Sequence, residues 1–302
     1  MSEFQKIGAI VPQMSKVTNS LLEEIKDNGP LMKELDALGI KEEEIPLYIP
    51  LLTNYLDSKK ACENCKGYDK CESDSPHICR YLSIGSGGIL SSYLGPCPLA
   101  KNELLKESNY LYCDFDSSWK SLSTKTIKTA RNSSLLSEVL SVFKESSAHR
   151  FAYLHGPSGS GKTYLLAALC NDLALKNKQI AFIDVNRRFN ELREYSLRDR
   201  PRFERSLDVL KTAPILVLDG FGNEFRSDTV RDVILLPLIE YRSKNRLPTL
   251  FTSEYSLFEI ETLYSKSRAD ALVARRLVNH IRKNIKEEIE IPMGLETFFN
   301  DR

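Results

Sequence analysis

From about residue 135 onward, short apolar runs alternate with stretches whose apolar positions recur at helical spacing. The runs Phe151–His155, Ile180–Val185, Ile215–Asp219 and Thr249–Ser253 are five or six residues each and mostly apolar or small, the signature of strands buried on both faces. Between them, residues 164–176, 187–210 and 228–244 carry apolar residues three and four apart, which predicts amphipathic helices. Strand, helix and strand in repetition imply an α/β fold: a parallel sheet with helices on both faces. The N-terminal part reads differently. SLLEEIKDNGPLMKELDALGI and EEEIPLYIPLLTNYL, within residues 15–57, predict a small helical bundle in which Asn28-Gly29-Pro30 stops one helix and starts the next. From 58 to 113 the periodicity fades and Gly, Ser and Cys rise, so this part needs more than an apolar core to hold it. Residues 114–134, DFDSSWKSLSTKTIKTARNSS, are rich in Ser, Thr and Lys and read as a linker. The expected organisation is therefore one domain over 1–113, a linker over 114–134 and the α/β domain over 135–302.

Composition narrows this picture by exclusion. Lys plus Arg (42) nearly cancel Asp plus Glu (41) in the 302-residue chain, so any affinity for nucleic acid must come from a local patch. The N-terminus lacks a basic segment followed by an apolar run, and no stretch approaches the ~18 apolar residues of a membrane span. A soluble, cytoplasmic protein without a membrane partner is expected. Of the seven cysteines, six lie between Cys62 and Cys113, and an odd number in such a chain points to reduced thiols or metal ligands.

The chemistry enters at GPSGSGKT. Gly156, Gly161, Lys162 and Thr163 fit the phosphate-loop pattern, and the loop lies between the strand FAYLH and a helical run. In the loop of Gly156, Pro157, Ser158, Gly159, Ser160 and Gly161, the backbone N–H groups, which Pro157 lacks, would turn toward phosphate oxygens of ATP at a helix N-terminus. Lys162 would neutralise the outer phosphates, and the Thr163 hydroxyl would ligate Mg²⁺. A second apolar strand, PILVLD, brings Asp219 to the same edge of the sheet as another magnesium anchor.

The segments GKTYLLAALCNDL, ILVLDGFGNE and RDVILLPLIEYRSKNRLPTLFTSE resemble the AAA+ ATPases of the bacterial helicase-loader clade, the DnaI-type primosomal proteins in particular. The resemblance extends over the whole chain and implies a small helical, zinc-binding N-terminal domain followed by an AAA+ domain. It implies an ATP-dependent loader that delivers a hexameric, DnaB-type replicative helicase onto single-stranded DNA in the initiation of replication. The acid that polarises the attacking water in such ATPases is replaced by Gly220; Glu224, four residues on, is the candidate substitute, and Glu254 stands where a sensor Asn is usual. An ATPase with an atypical site is expected. The alternatives are a non-hydrolysing, ATP-gated adaptor and the helper ATPase of a transposase.

Two further sets follow. In ADALVARRLVNHIRKN, Arg276, with Arg275 as the alternative, matches the arginine that reaches a neighbour's γ-phosphate, which implies self-association in a ring or spiral on the helicase. In ACENCKGYDKCESDSPHIC and the later GPCP, the resemblance favours Cys62, Cys65, His77 and Cys97 as zinc ligands, with Cys71 and Cys79 as possible replacements. Residues 186–205 combine seven arginines with Phe189, Tyr195 and Phe203, a composition suited to single-stranded DNA, although four interspersed acids equally fit an ion-paired helix surface.

Overall fold

The computed structural model describes residues 18–73, 75–127, 130–144 and 146–292. The chain divides into two compact units, with the division between Leu104 and Leu105. The N-terminal unit begins with helices α1 (residues 18–27) and α2 (Gly29–Ala37), and the predicted break between them is present: the Asn28 side chain caps α2 by accepting from Leu31 N. A 3₁₀ segment, Glu42–Tyr48, leads into α3 (Ile49–Glu63), and Ile25, Leu35, Ile45, Leu52 and Tyr55 form the core. The cysteine-rich stretch then forms an antiparallel hairpin of β1 (Ile78–Ile84) and β2 (Leu90–Pro96), followed by α4 (Pro98–Asn109), within which the division falls.

The C-terminal unit contains β3 (Tyr110–Cys113), α5 (Ala130–Ser141), β4 (Phe151–His155), α6 (Lys162–Ala174), β5 (Ile180–Asp184), α7 (Val185–Arg198) and α8 (Arg200–Thr212). It continues through β6 (Ile215–Phe221), a π-helical segment Thr229–Leu235, α9 (Leu236–Lys244), β7 (Thr249–Ser253), α10 (Leu257–Leu263), α11 (Arg268–Arg282) and β8 (Glu288–Glu290). The strands form one parallel sheet in the order β3-β5-β6-β7-β4-β8. Alternation along β4 shows why its sequence is uniformly apolar. Phe151 and Tyr153 pack on one face with residues of α7 to α11, while Ala152 and Leu154 pack on the other with α5 and α6. Among the described residues no helix is long and apolar enough to cross a membrane.

Three features differ from the sequence expectation. Tyr110–Cys113 is an edge strand of the α/β sheet, paired with β5, so the N-terminal domain ends earlier than residue 113. The stretch read as a linker is packed: Phe115, Leu122 and Ile127 are buried in the core, and Asn171 Nδ2 on α6 donates to the carbonyls of Trp119 (2.8 Å) and Leu122 (2.9 Å). Its polar composition hides three apolar anchors. The long helix expected over 187–210 is two helices, because Pro201 lies in the first turn of α8 and Asp199 caps it, accepting from Arg202 N at 3.0 Å.

Candidate nucleotide-binding site

Parallel strands place their C-terminal ends on one rim, and the connections leaving β4, β6 and β7 meet there around a cleft of about 640 Å³. Ser158, Gly159, Gly161, Lys162 and Thr163 of the loop after β4 line it. Gly156 starts the loop at φ +146°, and a Cβ there would stand 2.1 Å from the Ile291 carbonyl oxygen, so only glycine lets the chain pass beside β8 into the loop. Pro157 and the buried Ser160 lie behind the lining and position Lys162. The Lys162 Nζ donates to the carbonyls of Gly156 (2.8 Å) and Pro157 (2.7 Å) and to Ser160 Oγ (3.1 Å). Burial lowers the Lys162 pKa, while the negative charges of Glu254 and Asp219 oppose that shift.

Asp219 sits near the end of β6, largely buried. Its Oδ1 accepts from Thr163 Oγ1 at 2.7 Å and from Thr252 Oγ1 at 2.5 Å. Burial raises its pKa; the two hydroxyl hydrogen bonds pull the other way. The Thr163–Asp219 oxygen separation is close to the edge of a magnesium octahedron, about 2.9 Å for metal–oxygen distances of about 2.0–2.1 Å. These two residues therefore fit Mg²⁺ as adjacent ligands, and the ion would supply positive charge to offset that of the phosphates.

Glu224 is placed elsewhere than its candidate role requires. It is 2 % exposed, does not line the cleft, and accepts hydrogen bonds from Gly222 N (2.7 Å) and the Tyr264 hydroxyl. Burial raises the Glu224 pKa. It serves as an internal tie between the loop after β6 and the end of α10, and its spacing from Asp219 could not reveal that Tyr264 engages it. Lining residues that sequence reasoning passed over include Asn223, Thr252 and the pair Trp119 and Tyr164, packed edge to face at 5.8 Å. The chain's single tryptophan, lodged among serines and lysines, was the available signal.

Arg276 lies on α11 away from this cleft, 62 % exposed at its side chain, and pairs with Glu240 at 2.6 Å; Arg275 pairs with Glu261 at 3.1 Å. In residues 186–205 much of the arginine and aromatic pattern is used internally. Phe189 and Phe203 are core residues, and Arg202 lies over the Tyr195 ring (4.2 Å). Arg188 holds Asp114 through two 2.7 Å bonds and covers the Tyr112 ring (4.4 Å). Arg198 and Arg205 remain exposed on α7 and α8.

The four candidate zinc ligands are not assembled: among the described residues, no group of three or more His, Cys, Asp or Glu side chains is arranged to hold a metal ion. The His77 ring stacks on Tyr68 (4.1 Å), with Nδ1 buried and unpartnered. Cys65 is exposed and Cys97 Sγ accepts from Ala100 N (3.4 Å). Cys62 lies instead beside Cys79, Sγ to Sγ 3.8 Å, about the edge of a zinc–thiolate tetrahedron with ~2.3 Å bonds. Burial, then the neighbouring Cys62, raises the Cys79 pKa to about 11. Cys79, on β1 of the hairpin, thus stands beside Cys62, where the resemblance implies Cys65.

A parallel sheet covered on both faces, a phosphate loop between β4 and α6, and a threonine–aspartate pair at the strand ends define an AAA+ type ATP-binding protein. Residues 128–288, just over half of the chain, match the family described as IstB-like ATP binding protein, and the chain belongs to that family. It is 26 % identical over 279 residues to the replicative helicase loader DnaI of Bacillus subtilis (strain 168), covering 86 % of this chain and 88 % of that one. It is 26 % identical over 117 residues to the replicative helicase loader DnaC of Escherichia coli (strain K12), covering 39 % of this chain and 47 % of the other. A crystal structure of DnaI superposes with a TM-score of 0.54 at 29 % identity, over 62 % of this chain and 99 % of that chain.

Proposed function

We propose that this chain is an ATP-dependent loader that delivers a hexameric, DnaB-type replicative helicase onto single-stranded DNA when replication starts. The observation that carries the reading is the extent of similarity to a helicase loader: it covers 86 % of the chain, more than the nucleotide-binding unit alone. The N-terminal unit would grip the helicase and the C-terminal unit would bind ATP and Mg²⁺. Exposed Arg198 and Arg205 are the side chains we assign to DNA phosphates. The test is a reconstitution with the cognate helicase, a single-stranded gap and ATP. Helicase deposited on the strand in an ATP-dependent manner is the expected result, and deposition that ignores this protein would overturn it.

Three narrower expectations accompany the reading. Trp119, at the cleft wall with Tyr164, is placed to stack on the nucleotide base. Nucleotide should therefore quench the fluorescence of this single tryptophan, and Trp119→Ala should weaken binding by about fivefold, from ~1 kcal/mol of lost stacking; unchanged emission on saturation would place the base elsewhere. Arg276, exposed and outside its own cleft, suits a neighbour's nucleotide. Arg276→Ala should bind ATP normally yet lose about 10³-fold in helicase-stimulated turnover, and normal stimulation would remove Arg276 from that role. Finally, a zinc ion in the N-terminal unit would be held by Cys62 and Cys79 together with two further ligands of the cysteine-rich stretch that would have to close around it. Metal analysis should find zinc that Cys79→Ser abolishes; zinc-free protein with an intact fold would exclude a metal there.

A further inference from the structure

Two carboxylates line the nucleotide cleft, Asp219 and Glu254. Asp219 is committed to Thr163, Thr252 and the magnesium position. The position after it, Gly220, has no side chain, and Glu224 is turned into the core against Tyr264. Glu254 differs from both. It is exposed, it immediately follows β7, and its Oε1 accepts from Asn223 Nδ2 at 3.2 Å, a side chain from the loop after β6. The strands β6 and β7 are hydrogen-bonded neighbours, with Phe221 opposite Ser253, so a carboxylate just past β7 reaches the same rim as one just past Asp219. The two strand ends are also tied directly: Gly220 N donates to Thr252 Oγ1 at 2.9 Å. The charge of Glu254 acts on Lys162 across the cleft.

We propose that Glu254 is the general base for ATP hydrolysis, its carboxylate having moved one strand across the sheet relative to the usual acid at position 220, with Asn223 as the residue that positions it. The assignment rests on the reading of the site as an ATPase. Glu254 accepts a proton from the attacking water as the water oxygen forms its bond to the γ-phosphorus. The bond from that phosphorus to the β–γ bridging oxygen breaks, its electron pair stays on ADP, and the proton then passes from Glu254 to the released phosphate. Fixing the carboxylate through Asn223 holds one oxygen and leaves the other for the water. Glu254 and the terminal phosphate carry like charge, and the positive charge of Lys162, joined by that of Mg²⁺ when bound, would offset their repulsion.

The experiment measures kcat and the dissociation constant of a fluorescent, non-hydrolysable ATP analogue on the full chain with helicase and single-stranded DNA present. Glu254→Gln should keep nucleotide affinity within about threefold and lose about 10²–10⁴-fold in kcat, the range for removal of a general base. Asn223→Ala should lower kcat by about tenfold with KM unchanged, which a merely structural role would not do. The double change Gly220→Asp with Glu254→Asn should recover part of the turnover that Glu254→Asn alone loses. The backbone at 220 (φ +73°) strains any side chain, Asp less than most, so only partial recovery is expected; a Cβ there has Asn223 Nδ2 as its nearest neighbour at 3.9 Å. Wild-type turnover by Glu254→Gln, or tighter ATP binding with no loss of rate, would overturn the assignment alone. Absence of Lys162-dependent turnover in the wild type would overturn the ATPase reading and the assignment with it.

Discussion

Lys162→Ala should bind Mg²⁺–ATP poorly and lose helicase-stimulated turnover by about 10²–10³-fold, the cost of removing one preorganised donor from a phosphoryl-transfer site. The Lys162 ammonium sits inside the phosphate loop. It is buried, and its three donors are met by the Gly156 and Pro157 carbonyls and the Ser160 hydroxyl, each within the loop itself. Those acceptors are neutral, so burial of the charge is poorly compensated, and its pKa is lowered. Phosphate oxygens would offer the ammonium charged acceptors in the same enclosed space, and charge-assisted bonds are the stronger kind. Alanine removes that gain and also the internal tie that holds the loop closed. The measurement is titration of tryptophan fluorescence and steady-state hydrolysis side by side. Retained turnover in the mutant would mean that another protein catalyses it or that the loop is not the nucleotide site.

The parts of this molecule that were legible beforehand share a physical cause. β4 and β7 match their predicted limits because both faces of each strand are buried, which keeps Lys, Arg, Asp and Glu out of FAYLH and TLFTS. β8, only Glu288–Glu290, and β3, with its two tyrosines, lie at the sheet edges, where one side is unpaired and polar residues are allowed, so neither stands out from loop. The packed segment over 115–127 was hidden by composition: its serines and threonines bond to its own turns and to Asp172 on α6 while Phe115, Leu122 and Ile127 do the anchoring. The phosphate loop was legible because its spacing is itself the geometry. Glu224 and Glu254 were not, because chain distance from Asp219 does not report direction. Glu224, closer in sequence, meets Tyr264 in the core, and Glu254, on the neighbouring strand, meets Asn223 at the cleft. The relevant distance for a sheet-edge site runs across strands.

A large effect on stability is expected far from the nucleotide, at Arg242. Its side chain is fully buried on α9, and among the described residues no carboxylate pairs with it; five uncharged acceptors surround the guanidinium. Three are the carbonyls of Leu210, Lys211 and Ala213 at the end of α8, where helical carbonyls lack intrahelical donors. The other two, Pro248 O (2.6 Å) and Thr249 Oγ1 (2.8 Å), belong to the entry into β7. One planar fork thus ties α8, α9 and β7 together, a geometry that the single ammonium of lysine cannot reproduce. Arg242→Ala leaves both a cavity and several buried acceptors unsatisfied, which should cost about 3–5 kcal/mol and lower the thermal midpoint by roughly 10 °C or more. Arg242→Lys should recover little of this. The loss should also reach function, since β7 carries Thr252 and Ser253 to the cleft and leads directly to Glu254. At temperatures where the variant remains folded, weakened nucleotide binding would show that the sheet end is held from behind by this fork. A melting midpoint within a few degrees of wild type would show that water or rearranged side chains satisfy the exposed carbonyls.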